Sequence, residues 1–344
     1  MPRIHDILAT LQSWAPPAIA WERDNIGLLV GDGDREVARV LVCLDVTPAV
    51  VDEAVAEDAQ LIVAHHPLIF HPLKSLRTDS PHGAMLAALL RADIGVIAVH
   101  TNADATWGGL NHALAHTLGL TDLEVLDPTR GELRGMTVRF QGAMMFVEEV
   151  LVRLRAIDGV EAYPRPMDGN DAVIDIIAAS WNAGRVRAAL HSVLAESPHA
   201  LTEHRFEHAA PGYGIGAVGH LARPRDAGEF LADVKAALGN EWLRVSPFDA
   251  TRRIHRVAVC SGAGSSYVRA AIAAGADAYV TGDLSHHVFL DHRDEILLVD
   301  AGHYHTERIF IDRCAEILAK STFENSKKID ILRGRTNTNP IRFV

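Results

Sequence analysis

Three apolar runs, far apart in the chain, each stop at residues able to bind a metal ion. Gln60-Leu61-Ile62-Val63-Ala64 runs into His65-His66-Pro67, Gly95–His100 (GVIAVH) is followed by Asp104, and Ile296–Val299 is followed by His303 and Glu307. Short runs of branched apolar residues bounded by turn residues read as strands buried on both faces. Ligand sites of open α/β sheets lie at the carboxyl ends of such strands. Neutral imidazoles and carboxylates are the usual ligands of zinc, manganese and iron. Five such groups at strand ends, His65, His66, Asp104, His303 and Glu307, therefore predict a site for two divalent metal ions.

Both terminal thirds alternate strand and helix. Val37–Val46 (VARVLVCLDV) reads as a strand, and Thr47 with Pro48 reads as the capped start of a helix. Leu61–Ala64, a helix over Gly83–Ile94, the strand Gly95–His100 and a helix over Gly109–Leu118 follow. Near the other end, strands are expected at Val257–Cys260, Ala278–Thr281 and Ile296–Val299, with helices over Ser265–Ala274 and Thr306–Leu318. This rhythm predicts an α/β fold: a largely parallel sheet core with helices on both faces. The middle differs. It reads as strand, helix, strand, strand, helix, strand, through Met136–Phe140, the apolar faces of Val147–Leu154 and Val186–Leu194, Ala172–Ala178 and Leu201–Phe206. That order is the ferredoxin-like α+β pattern. The expected domains are 1–130 and 209–344, forming one metal-binding core, and an inserted 131–208.

Bulk properties narrow the function. The formal charge is −11 over 344 residues, which disfavours a nucleic-acid-wrapping surface, since that needs clustered Lys and Arg. Cys43, Cys260 and Cys314 lie far apart inside apolar runs, as buried free thiols of a reducing compartment do. No run is long enough to span a bilayer and no signal peptide opens the chain. The expectation is a cytoplasmic protein with no membrane partner.

Local geometry assigns roles. Neighbouring residues on a strand face opposite ways, so His65 and His66 share a site only where the strand has ended, and Pro67 marks that turn. His303 and Glu307, four apart at a helix start, share one face. Glu307, with two oxygens, is the group suited to bridge two ions. His100 reads as an orienter of ligands and His305 as pointing elsewhere. In Gly282-Asp283-Leu284-Ser285-His286-His287, His287 is the candidate catalytic proton-transfer residue. The string Gly214-Ile215-Gly216-Ala217-Val218-Gly219 lacks the strand-to-helix context of a dinucleotide site, so no nucleotide cofactor is expected there. Ser261-Gly262-Ala263-Gly264 reads as a tight turn or an anion-holding one.

Asp24-Asn25-Ile26-Gly27-Leu28, Leu44-Asp45-Val46-Thr47, Ile62–Phe70, His100–Asp104, Thr281–Leu284 and Gly302-His303-Tyr304 with Glu307, in this order, resemble the Ngg-interacting-factor-three-like family, the GTP cyclohydrolase one, type two homologues. The resemblance covers both terminal thirds. It implies a dinuclear centre on the same five ligands, a toroidal homohexamer and, in longer members, an inserted PII-like domain. A two-metal site suits hydrolysis of a nucleotide or phosphoester as small-molecule substrate, and the family label suggests opening of the guanine ring of GTP. The competing expectation is a non-catalytic, metal-containing regulatory or assembly protein, because one fold hosts many functions.

Overall fold

Alternation along the β-branched runs decides which helix covers which face. In the computed structural model, which describes residues 1–128, 132–140, 146–157, 159–167, 171–194, 199–209, 212–321 and 329–342, contacts divide the chain into two compact units, Met1–Asp127 with Gly214–Val344, and Pro128–Tyr213. The first five strands are β1 (Gly27–Val30), β2 (Arg39–Cys43), β3 (Leu61–Ala64), β4 (Gly95–Ala98) and β5 (Leu120–Asp127). The second unit holds β6 (Glu132–Phe140), β7 (Val160–Pro166), β8 (Ala172–Ala179) and β9 (His199–Ala209). The chain ends with β10 (Ile215–Asp226), β11 (Arg244–Val245), β12 (Arg253–Ala263), β13 (Ala278–Gly282), β14 (Leu297–Asp300) and β15 (Asp330–Arg333).

The first unit is a mixed α/β fold with two sheets rather than one. One sheet runs β1-β4-β3-β2-β15, with every pairing parallel except β1 with β4. Val40 and Val42 of β2 and Leu61 and Val63 of β3 pack with the helices Ile4–Trp14 and Phe310–Lys320. Leu41, Cys43, Ile62 and Ala64 face the other way, onto the helices Pro48–Ala56 and Pro81–Arg91. Strands apolar on both sides are thereby covered on both sides. The other sheet runs β11-β14-β13-β12-β10-β5 and is mixed. β12, β13 and β14 are parallel, while β10, β5 and β11 pair antiparallel. Leu110 of the helix Leu110–Thr117 joins the first core and its Leu114 the second, so this helix serves both.

The glycine string at 214–219 runs into β10, where a Cβ on Gly216 (φ +73°) would meet the Val259 carbonyl at 2.9 Å. One sequence reading changes. The expected helix Thr306–Leu318 is two helices, His303–Glu307 and Phe310–Lys320.

The second unit is a four-stranded antiparallel sheet ordered β7-β8-β6-β9. Met136 and Val138 of β6 and Ile174 and Ile176 of β8 form its core with Leu151 and Leu154 of the helix Val147–Arg155 and Val186 and Leu190 of Ala183–Leu194. All three cysteines are buried and free. Among the described residues, no helix is long and apolar enough to cross a membrane.

Leu61, fully buried at the start of β3, tests the packing that places that strand end. Leu61→Ala is expected to lower stability by about 2–5 kcal/mol, read as a shift in the urea unfolding midpoint; a change within 0.5 kcal/mol, about that of a surface site, would contradict the core assignment.

Candidate metal centre

Four imidazoles stand at the carboxyl ends of strands with one ring nitrogen each already committed. Past β3, the N–H groups of His65 and His66 still donate to Cys43 O at 3.3 Å and Leu44 O at 3.0 Å, so both residues follow β2 beyond the strand end. His65 Nδ1 donates to Val99 O at 2.9 Å, and His66 Nδ1 to Asp45 Oδ1 at 2.7 Å. His100 Nδ1 donates to Asp24 Oδ1 at 2.8 Å, and His303 Nδ1 to Asp283 Oδ2 at 2.7 Å. Carbonyls and ionised carboxylates only accept, so each Nδ1 carries the proton and each Nε2 is left to face a ligand. A histidine oriented through its second nitrogen by a carboxylate or carbonyl is the usual arrangement of a metal-ligating ring.

The Nε2 atoms converge on Glu307. Its Oε2 lies 2.9 Å from His303 Nε2 and 3.0 Å from His66 Nε2, and its Oε1 lies 3.7 Å from His65 Nε2. His66 Nε2 and His303 Nε2 are 3.4 Å apart. Asp104 Oδ2 is 4.0 Å from His65 Nε2, while its Oδ1 accepts from Ser261 Oγ at 2.9 Å. Two groups of three have ligand atoms within 4.8 Å of one another: His66, His303 and Glu307, and His65, His66 and His100. His65 Nε2 and Glu307 Oε2 are buried without a hydrogen-bond partner. Buried orphans of this kind are costly, and nitrogen and oxygen donors aimed at one point are what a divalent cation satisfies. The residues present fit such a group.

Backbone shape keeps the space open. Gly262, at φ +62°, follows Ser261 near the end of β12, and a Cβ there would fall 2.1 Å from Glu307 Oε1 and 3.3 Å from His303 Nε2. Its N–H donates to Thr306 Oγ1 at 3.0 Å. The glycine-rich turn therefore backs the carboxylate rather than presenting amides to an anion.

Electrostatics couple the members. Burial would raise the Glu307 carboxyl, but His303, His65 and His66 outweigh it and hold the group well below its usual range. Burial opposes charge on His66 and is outweighed by Asp45 and Glu307, which carry it up to about 10. Glu307, with Asp283 adding, carries His303 up to about 9 against burial. Burial raises the Asp104 carboxyl, with Glu307 adding to it and His65 working against it. Burial also works against the charge on Asp24, and His100 and Thr101 overcome it, bringing Asp24 down to about 2.

Four of the five sequence-predicted metal residues, His65, His66, Asp104 and His303, thus lie around the fifth, Glu307. His287 does not: it is exposed in the first turn of the helix His286–His292, its ring edge-on to His286 with centroids 5.6 Å apart. His305 turns away, its Nδ1 3.4 Å from Leu238 O. His100, read from sequence only as an orienter, joins the cluster itself. The orienting carboxylates Asp24 and Asp45 had no role in the sequence reading. Their one signal was position, since Asp45 directly follows the apolar run that pairs with the His65 run.

A family model described as Duf34/NIF3 (NGG1p interacting factor 3) matches residues 2–340. The chain is 31% identical over 367 residues to a Halalkalibacterium halodurans protein named GTP cyclohydrolase 1 type 2 homolog, covering 98% of each. It is 32% identical over 372 residues to a Bacillus subtilis protein of the same name, again covering 98% of each. A solved structure, a Bacillus cereus protein related to NIF3, matches with a TM-score of 0.88 and 31% identity over 100% of this chain and 99% of that one. With a family match and relatives spanning nearly its whole length, the chain belongs to the Duf34/NIF3 family.

Proposed function

We propose that this chain is a dinuclear metal-binding protein and a metal-dependent hydrolase of a nucleotide or phosphoester. The observation that carries the reading is the set of Nδ1-tethered imidazoles whose Nε2 atoms face one buried carboxylate. His66 and His303 would hold one ion, His65 and Asp104 the other with His100 beside them, and Glu307 both. A pair of zinc, manganese or iron ions supplies Lewis-acid polarisation and acidified water in such chemistry. The protein's own part is to keep each Nε2 basic and aimed, through Asp45, Asp283, Asp24 and the Val99 carbonyl. Ser261 holds Asp104 in place. His287, exposed to solvent in the first turn of the helix His286–His292, is the proposed proton-transfer group. The names of the relatives favour a small-molecule substrate such as GTP.

The segment 131–208 is an inserted ferredoxin-like domain, supported by the strand order β7-β8-β6-β9 with one helix after β6 and one after β8. The protein is a cytoplasmic homo-oligomer, a hexamer by family resemblance; its buried free cysteines suit a reducing compartment.

Three outcomes test this. Purified protein reconstituted with zinc or manganese is expected to hold about two ions per chain, and His66→Ala or Glu307→Ala to lose at least one by elemental analysis; unchanged content in both variants would refute the ligand set. In metal-free protein the raised His66 and His303 are protonated at neutral pH, and each must give up that proton to bind a cation. Calorimetry at pH 7 in buffers of different ionisation enthalpy should therefore show release of about two protons. Affinity should rise as pH climbs towards about 9–10, where those groups lose their protons. Heats independent of buffer would exclude the exchange. His287→Ala is expected to lower turnover of a nucleotide or phosphoester substrate by about 10²–10⁴-fold with the ions retained; full activity would remove it from the mechanism, and loss of metal would make it a ligand.

A further inference from the structure

We propose that the segment after β15, residues 334–341, is a positioning arm of the metal centre, acting through Thr338 on the ion nearest His66. The proposal rests on the metal reading above. The segment forms neither helix nor strand, so its path is set by individual side-chain and backbone anchors. Gly334 N–H donates to Val42 O at 2.8 Å. Both oxygens of Glu53, on the helix Pro48–Ala56, are then engaged: Arg335 N–H donates to Oε1 at 2.8 Å, and Thr336 donates to Oε2 through N–H at 3.1 Å and Oγ1 at 2.6 Å. Beyond Thr338, Asn339 Oδ1 accepts from Ile341 N–H at 3.0 Å, and Asn339 Nδ2 lies 3.5 Å from His305 Nε2. Thr338 is therefore tied on both sides.

Between those anchors, Thr338 Oγ1 donates to Asp45 Oδ2 at 2.7 Å, while Asp45 Oδ1 accepts from His66 Nδ1 at 2.7 Å. A carboxylate held by one oxygen swings about its Cβ–Cγ bond; one held by both has a fixed plane. Thr338 thereby fixes the direction in which His66 presents Nε2. The effect is local. His65 is oriented by the Val99 carbonyl and His303 by Asp283, neither of which the arm touches in any hydrogen bond among the described residues. Asn339 and Ile341 also line a recess of about 200 Å³ with His303 and Asp283.

The test titrates metal-free wild type, Thr338→Ala, Thr338→Val and Thr338→Ser with cobalt(II) against a chromogenic chelator, following stoichiometry, the two affinities and the cobalt absorption bands. Groups that orient a metal-ligating histidine typically change affinity by about 10–100-fold. Thr338→Ala and the near-isosteric Thr338→Val are expected to weaken one of two ions by about tenfold and alter its bands, with the second ion unchanged and Thr338→Ser restoring both. If Thr338→Ala does not fold, Thr338→Val carries the comparison. Two ions bound by Thr338→Val as by wild type would overturn the arm while leaving the centre intact. Equal weakening of both ions, unrescued by serine, would overturn it in favour of a general structural role. Wild type that binds no ion would overturn the arm and the metal reading together.

Discussion

A carboxylate buried among imidazole nitrogens sets the terms for everything around it. Glu307 is 4% exposed, and an ionised group so far from water persists only against matching charge. Three histidines supply that match from within 3.7 Å. Their other nitrogens are bound outward to Val99, Asp45 and Asp283, so the inward nitrogens have one variable left, which is whether they carry a proton or face a cation. The cluster is a unit of separately tethered rings: loosening Asp45 frees His66 and leaves the outward bonds of His65 and His303 in place.

Assembly of that unit explains the two-sheet architecture. The ends of β3 and β4 bring His65, His66, His100 and Asp104, while the ends of β12, β13 and β14 bring Ser261, Asp283 and His303 with Glu307. Neither sheet owns a complete ligand set. The short helix His303–Glu307, separate from Phe310–Lys320, puts the last two ligands on one face, and the helix Leu110–Thr117 contributes to both hydrophobic cores.

The parts legible in sequence were those with local signatures. The apolar runs before His65 and before His100 are strands because four consecutive buried residues need a sheet and two covering layers. The candidate ligand residues were visible because they sit where those runs stop. Asp45 was not, because its role comes from parallel register. Cys43 pairs with Ala64, so the residues two beyond each partner, Asp45 and His66, come to lie side by side. The antiparallel half of the second sheet escaped for a related reason. β5 lacks a strict polar–apolar alternation and β10 is broken by glycines, and their pairing with each other and of β10 with β12 makes them strands. The edge strand β15 depends on pairing with β2 from the far end of the chain. His287 shares the strand-end signature, and the helix that begins at His286 sets it apart from the cluster around Glu307.

Gly262 limits how the centre can be remodelled. With 2.1 Å between a Cβ at that position and Glu307 Oε1, every other amino acid would displace the carboxylate before offering any donor of its own. Ligand-exchange engineering, whether towards a softer metal or a larger reacting group, is closed from the β12 wall. The adaptable positions lie across the cluster at Asp104 and His100, where a donor can change without removing the central acid.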